Sequence, residues 1–344
     1  MGSSPAVCTL ARTIRGPVFL LALIAACLTL GCDRGDRTAG TAARAGAARV
    51  TASLDTTATL TVLHAGSLAR PLRAALDSFT ARRGVRVATV SAGSLEAARR
   101  ITELHDVPDV IALADEEVFP SLLMPHDVSG YFIFARNRLV IAVAPTRAGV
   151  KIDSTNWYHI LAAPDVEVGR SDPNLDPAGY RALLMLQLAE RAYQLPSIGH
   201  DVLARSPMRN VRPKSADLIA LLETGALDYA FVYQSSARSA KLRWIALPSS
   251  IDLGDDTMAS DYARVSVRVT GRSRGDSISV RGAPIRYALA VPIAAPHRDG
   301  ASSLAMFLLS PVGLRAMRAG GLDVVPPRFV GEHPPAWFTA PRAP

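Results

Sequence analysis

Past residue 58, apolar positions recur in two alternating rhythms. Thr59 to His64 is a short β-forming run closed by Ala65-Gly66-Ser67, after which Leu68, Leu72, Leu76 and Phe79 fall on one face of a helix. The pattern repeats, with Val85 to Val90 leading through Ser91-Ala92-Gly93-Ser94 into a helix over Leu95 to Leu104, and with Asp109 to Leu113 as a third strand. Arg138 to Ala144, Tyr229 to Tyr233 and Tyr287 to Val291 read as further buried strands. Strand–helix alternation predicts parallel sheets with helices on both faces. The length of 344 residues suits two such doubly wound lobes, with the chain crossing between them near residues 141 and 285.

The amino terminus follows neither rhythm. Arg12 and Arg15 precede the 13-residue apolar run Val18 to Leu30, too short to span a bilayer of ~30 Å but of the length of a signal-peptide core. Residues 33 to 57 are mostly small and polar and cannot bury enough surface to fold, so they read as a flexible tether. The resulting division is leader 1–32, tether 33–57, lobe 1 from 58–141 plus 285–330, lobe 2 from 142–284, and a tail 331–344. All three cysteines, Cys8, Cys27 and Cys32, lie in the leader, so the body can form no disulfide and no thiolate metal site. The formal charge is +8, of which Arg12 and Arg15 supply two, and the remaining excess suits an anionic ligand or a membrane surface. Arginines are scattered rather than gathered into a stripe with aromatics, which argues against nucleic acid.

Chemistry-bearing positions cluster at predicted helix starts. Gly66-Ser67 and Gly93-Ser94 each stand where a strand ends and a helix begins, a place whose free N–H groups and dipole attract anions. Any one such serine is ordinarily an N-cap, but two on successive turns of one sheet are more specific. The segment Ser171 to Arg181 holds two Asp-Pro pairs and no apolar periodicity, and Pro177 fits a first helical turn, leaving the N–H groups of Ala178 and Gly179 for a ligand. The rival reading is a rigid turn with capping aspartates. Lys214-Ser215-Ala216-Asp217 opens a further helix, ordinary when taken alone. Catalytic signatures are absent: there is no Gly-x-Ser-x-Gly, no His-Glu-x-x-His and no phosphate-loop motif, and the seven histidines lack ligand spacing. Asp115-Glu116-Glu117 reads as a solvated loop rather than as paired acids for general acid–base work.

His64 to Leu68, Ser91 to Ser94, Asp109 to Asp115, Asn156-Trp157, the 171–181 segment, Pro213 to Tyr233 and Ala295 to Arg298 together resemble the solute-binding proteins of ABC importers for molybdate and tungstate. The resemblance runs from about residue 59 to about 327. Its loop is most similar to the tungstate/molybdate branch first described from archaea. That resemblance implies a two-lobed periplasmic binding protein of type II, not an enzyme, that delivers the oxyanion to a permease and its ATPase, with no cofactor and as a monomer. Ser67 and Ser94 would bind from one lobe, and the backbone of Ala178 and Ser215 and the hydroxyl of Tyr233 from the other. In that branch two carboxylates reach the metal; one corresponds to Asp176, in reach of molybdenum or tungsten, while Val232 stands at the other. Val232-Tyr233 is similar instead to the bacterial branch, where the anion stays tetrahedral. Gly31-Cys32 resembles a lipoprotein processing site, with Cys27 as the alternative, and implies an exported, lipid-anchored protein, with plain secretion as the rival reading.

Molybdate and tungstate carry two charges and no proton near neutrality, so serine, tyrosine and amide donors suffice to hold them. Phosphate keeps a proton and would want an acceptor such as Asp176. Sulfate, phosphate or another small anion on the same fold remains the alternative, with a secreted enzyme acting on an anionic substrate a more distant one.

Overall fold

The structure is a computed structural model and describes residues 56–273 and 275–338. The leader, Cys27, Cys32 and the tether up to residue 55 lie outside the described residues.

The chain begins with β1 (Thr59–Ala65), α1 (Ala69–Arg83), β2 (Arg86–Ala92), α2 (Ser94–Leu104), β3 (Val110–Leu113) and β4 (Gly130–Arg136). A second set follows: β5 (Leu139–Val143), α3 (Trp157–Leu161), β6 (Val168–Ser171), α4 (Pro177–Tyr193), α5 (Ile198–Leu203), β7 (Val211–Arg212), α6 (Ser215–Glu223), β8 (Tyr229–Tyr233), α7 (Gln234–Ser239) and β9 (Arg243–Ala246). After α8 (Ala259–Tyr262) comes a hairpin of β10 (Ser266–Thr270) and β11 (Ser277–Arg281), then β12 (Arg286–Ala290), α9 (Arg298–Leu308), α10 (Pro311–Ala319) and β13 (Asp323–Gly331). Six strands form one sheet in the order β13-β4-β12-β3-β1-β2, and five form another in the order β7-β6-β8-β5-β9.

The sheets are mixed rather than parallel, and the crossings explain why. Strands β1, β2 and β3 run parallel, as do β6, β7 and β8, and a helix follows each of them but β3. Strand β5 enters the second sheet directly from β4 at Asn137-Arg138, so it starts beside the end of β8, with Leu139 opposite Tyr233, and must run antiparallel to it. Strand β12 returns from the other sheet and runs antiparallel to β3 and β4 for the same reason. The first crossing thus falls at 137–138, just ahead of β5.

Both faces of the central strands are covered, so alternate residues enter different cores. Along β8, Tyr229, Phe231 and Tyr233 join the large core that extends through both sheets, whereas Ala230 and Val232 pack with Leu218, Leu222 and Ala237 beneath α6 and α7. The predicted face of α1 is as expected, with Leu68, Leu72, Leu76 and Phe79 all buried. The segment after β13 is not a free tail: the Trp337 and Phe338 rings lie 5.2 and 4.7 Å from that of Phe132.

Candidate oxyanion site

Helix α4 begins where local chemistry dictates. Pro177, with φ fixed and no N–H to leave unpaired, occupies the first helical position, and Asp176 is the N-cap. Asp176 is buried; its Oδ1 accepts the Ala178 N–H at 3.3 Å and its Oδ2 accepts the Ser215 N–H at 2.6 Å, so one carboxylate caps α4 and ties it to the start of α6. The Gly179 N–H closes on the Asp176 carbonyl at 2.9 Å. The amides of Ala178 and Gly179, expected to be free, are therefore engaged within the chain, as is that of Ser215. Burial pushes the Asp176 carboxyl above the ordinary carboxylate range, against the opposing pull of the Ser215 and Ala178 N–H groups.

The first turn of α2 is also committed. Leu95 and Glu96 donate their N–H groups to the Leu175 carbonyl at 3.1 and 3.2 Å, which docks α2 of the first lobe onto the 171–176 loop of the second. Gly93 is required for this approach, since a Cβ there would stand 2.2 Å from that carbonyl oxygen. The Leu95 and Glu96 amides at this helix start thus serve the junction between lobes. Ser94 Oγ accepts the Ala114 N–H at 3.0 Å in a fully buried setting. Ser67, in a short 3-10 turn ahead of α1, accepts from the Tyr287 hydroxyl at 2.9 Å.

Ser94 and Tyr233 are linked through a polar network centred on Arg181, which nothing in the sequence analysis singled out, and Ser67 adjoins it through Tyr287. Arg181 is 3% exposed; its Nη1 donates to the Ala114 carbonyl and to the Tyr233 hydroxyl, both at 2.7 Å, and its Nη2 pairs with Asp115 Oδ1 at 2.9 Å. The Tyr180 hydroxyl donates to the other oxygen of Asp115. Burial disfavours the guanidinium charge, but Asp115 and Tyr233 outweigh it and hold Arg181 protonated. Asp115 and Glu116 are accordingly buried, not part of a solvated loop, because each has an arginine partner: Arg181 for Asp115, and Arg286 at 2.8 Å for Glu116. The ring of Tyr287 meets that of Tyr233 edge-on at 5.8 Å, and Asn137, at the first crossing, donates from Nδ2 to the Tyr287 hydroxyl at 3.1 Å.

The structure therefore brings Ser67, Ser94 and Tyr233 together through Ala114, Arg181 and Tyr287, drawn from both lobes. Asp176 and Ser215 join each other directly, and the Asp176 charge bears on Tyr233, whose phenol burial pushes well above its usual range. Arg181 was visible in principle: it is the one charge in the run Tyr180-Arg181-Ala182-Leu183-Leu184-Met185, and a lone arginine on an apolar helix face needs a buried partner. Nothing local marked Tyr287 or Asn137, which lie 150 residues apart in sequence and meet only through the crossings. Among the described residues no three His, Cys, Asp or Glu side chains gather as metal ligands.

Two α/β lobes are thus joined at crossings, with polar groups of both meeting between them, the two-lobed fold of periplasmic binding proteins. The chain belongs to the bacterial extracellular solute-binding protein family, whose profile matches residues 60–323. A solute-binding protein of Petrotoga mobilis is 40% identical over 275 residues, 79% of this chain and 86% of the relative. The molybdate/tungstate-binding protein WtpA of Pyrococcus abyssi is 34% identical over 307 residues, 81% of this chain and 88% of that protein. Among solved structures, the periplasmic molybdate-binding protein of Azotobacter vinelandii superposes with a TM-score of 0.52 at 15% identity, covering 76% of this chain and 98% of its own. The sulfate-binding protein SubI of Mycobacterium tuberculosis gives 0.51 at 15%, covering 78% and 87%. At such identities the structural likeness establishes the fold.

Proposed function

We propose that this protein is the solute-binding component of an ABC importer that captures molybdate or tungstate between its lobes and delivers it to a membrane permease. The observation that carries this reading is that Ser67, Ser94 and Tyr233, three buried neutral hydroxyls from both lobes, are connected through Tyr287, Arg181 and Ala114. A proton-free dianion needs donors only, and each hydrogen bond to a charged oxygen contributes ~1.5–3 kcal/mol. The relatives named molybdate/tungstate-binding proteins support the choice of anion. In this reading the Ala178 and Ser215 amides hold Asp176 at the edge of the site, where it is the one carboxylate in reach of the metal atom of the anion.

Isothermal titration of the mature protein with molybdate, tungstate, sulfate and phosphate tests the assignment. Saturable 1:1 binding of the first two, tighter than that of the others, is expected; tighter binding of sulfate or phosphate moves the protein to the alternative anion. We further infer export and anchoring through lipid on Cys32, so Cys32→Ala should shift the protein from the membrane fraction to the soluble one, and unchanged membrane association would point to Cys27.

A further inference from the structure

Helices α9 and α10 meet at an elbow of 64° around Leu309 and Ser310. Local bonds hold the elbow: Ser310 Oγ accepts the Gly313 N–H at 3.3 Å as the N-cap of α10 and donates to the Phe307 carbonyl at 2.6 Å. A second wall comes from β13, whose register against β4 shifts between Val324 and Arg328. Pro326 and Pro327 fall within that shift and carry no N–H, so they line the space with ring carbons in place of amide donors. Between these walls lies a groove of about 690 Å³, completed by the rings of Trp337 and Phe338 that pack on Phe132.

The groove is apolar inside and carries charge of one sign. Met306, Leu309, Leu314 and Val325 line it with the two rings, and Met306 is 43% exposed. Leu314, Arg315 and Arg318 stand three, four and seven positions after Pro311 and so share its face of α10, while Gly313 and Met317 are buried. Arg318 donates to the Val324 carbonyl at 3.4 Å, and among the described residues neither arginine has a carboxylate partner. No Asp or Glu lines the groove among those residues. An uncovered apolar groove of this volume is the usual form of a small-molecule site, and two exposed, unpaired guanidinium groups select an anion for it.

We propose that this groove binds a single-chain anionic amphiphile, a fatty carboxylate, with its chain along Leu314, Val325 and Trp337 and its headgroup on Arg315 and Arg318. The lining includes none of Ser67, Ser94, Asp176 or Tyr233, so the site is separate from the one between the lobes and does not depend on what that one holds. The shape and the charge each narrow the ligand. A concave groove takes one chain, whereas docking on a bilayer calls for a protruding apolar surface. The planar guanidinium matches a carboxylate with two parallel hydrogen bonds, and the arginine stems extend the apolar wall beneath it. Chain length should matter as much as charge, since each methylene buried strengthens binding about fourfold.

Isothermal titration of the full chain with dodecanoate, kept below its micelle concentration, tests the proposal, with octanoate and dodecyltrimethylammonium as comparators. Saturable 1:1 binding of dodecanoate is expected, at least about tenfold tighter than that of the shorter anion or of the cation. The double variant Arg315→Ala/Arg318→Ala should lose at least about tenfold in dodecanoate affinity, and so should Met306→Glu, which sets a carboxylate on the exposed wall. Should either variant fail to fold, as judged by circular dichroism, the other decides. Equal binding of the cation, no binding of dodecanoate, or unchanged affinity in a folded variant overturns the proposal. Other occupants of the groove would overturn it as well: a wild-type dimer in sedimentation velocity that Met306→Glu makes monomeric, adsorption to phosphatidylglycerol vesicles without binding of dodecanoate, or dodecanoate binding only after removal of residues 339–344.

Discussion

Ser67 and Ser94 each hold two relationships, one to the fold and one to the solute. Because Ser94 Oγ accepts a buried backbone N–H, Ser94→Ala leaves the Ala114 amide unpaired, and Ser67→Ala removes one acceptor of the Tyr287 hydroxyl, which keeps its bond from Asn137. Each substitution should weaken tungstate binding by ~1–3 kcal/mol in titration calorimetry and cost ~1–3 kcal/mol in urea unfolding. Normal affinity in a destabilised variant would reduce these serines to structural caps. Asp176 is a different case, since its burial favours the neutral acid. With its folded pKa raised, the folded chain holds this proton more tightly than the unfolded chain, so stability falls as pH rises from the unfolded value, about 4, through the raised one. Urea midpoints measured across that window should decline in the wild-type protein relative to Asp176→Ala, which lacks the group. Parallel curves would show that the amides of Ala178 and Ser215 offset the burial completely.

At the level of elements, what periodicity could reveal and what it could not separate cleanly. Strands β1, β2, β3, β5, β8 and β12 are short runs rich in β-branched or aromatic residues, and helices α1, α2 and α4 carry caps and apolar faces that local sequence alone specifies. The direction of β5 and β12 is set by which lobe the chain has just left, and no local pattern encodes that. Strands β4, β6, β7, β9, β10, β11 and β13 were not anticipated; of these, β10 and β11 show an exposed alternation with few large apolar residues, Ser266 to Thr270 against Ser277 to Arg281. The same logic separates the site residues: helix-start serines and Asp-Pro pairs are legible, whereas Arg181, Asn137 and Tyr287 act through partners far away in sequence. Strand β8 also fixes the meaning of Val232. Its side chain enters the apolar cluster under α6, opposite to Tyr233, so Val232→Glu would bury a carboxylate among Leu218, Leu222 and Ala237 and not deliver a second ligand to the metal. Loss of several kcal/mol of stability is expected in thermal unfolding, and a variant as stable as the wild-type protein with tighter tungstate binding would contradict the placement.

On the scale of the whole molecule, the two lobes meet along a seam of specific contacts. Leu175 accepts the first turn of α2, and beyond it Arg272 of the β10–β11 hairpin reaches across to Asp127 at 2.9 Å and to the Leu122 carbonyl. The proposed function requires the solute at one position, bounded by Ser67 and Ser94 from one lobe and Tyr233 from the other. Crystals of the tungstate complex, with diffraction recorded at the tungsten absorption edge, locate the metal without reference to any assumed site. A single anomalous peak whose oxygens lie within hydrogen-bonding distance of Ser67 Oγ, Ser94 Oγ and the Tyr233 hydroxyl is the predicted result; a peak elsewhere on the protein, or none from crystals grown at saturating tungstate, would contradict it.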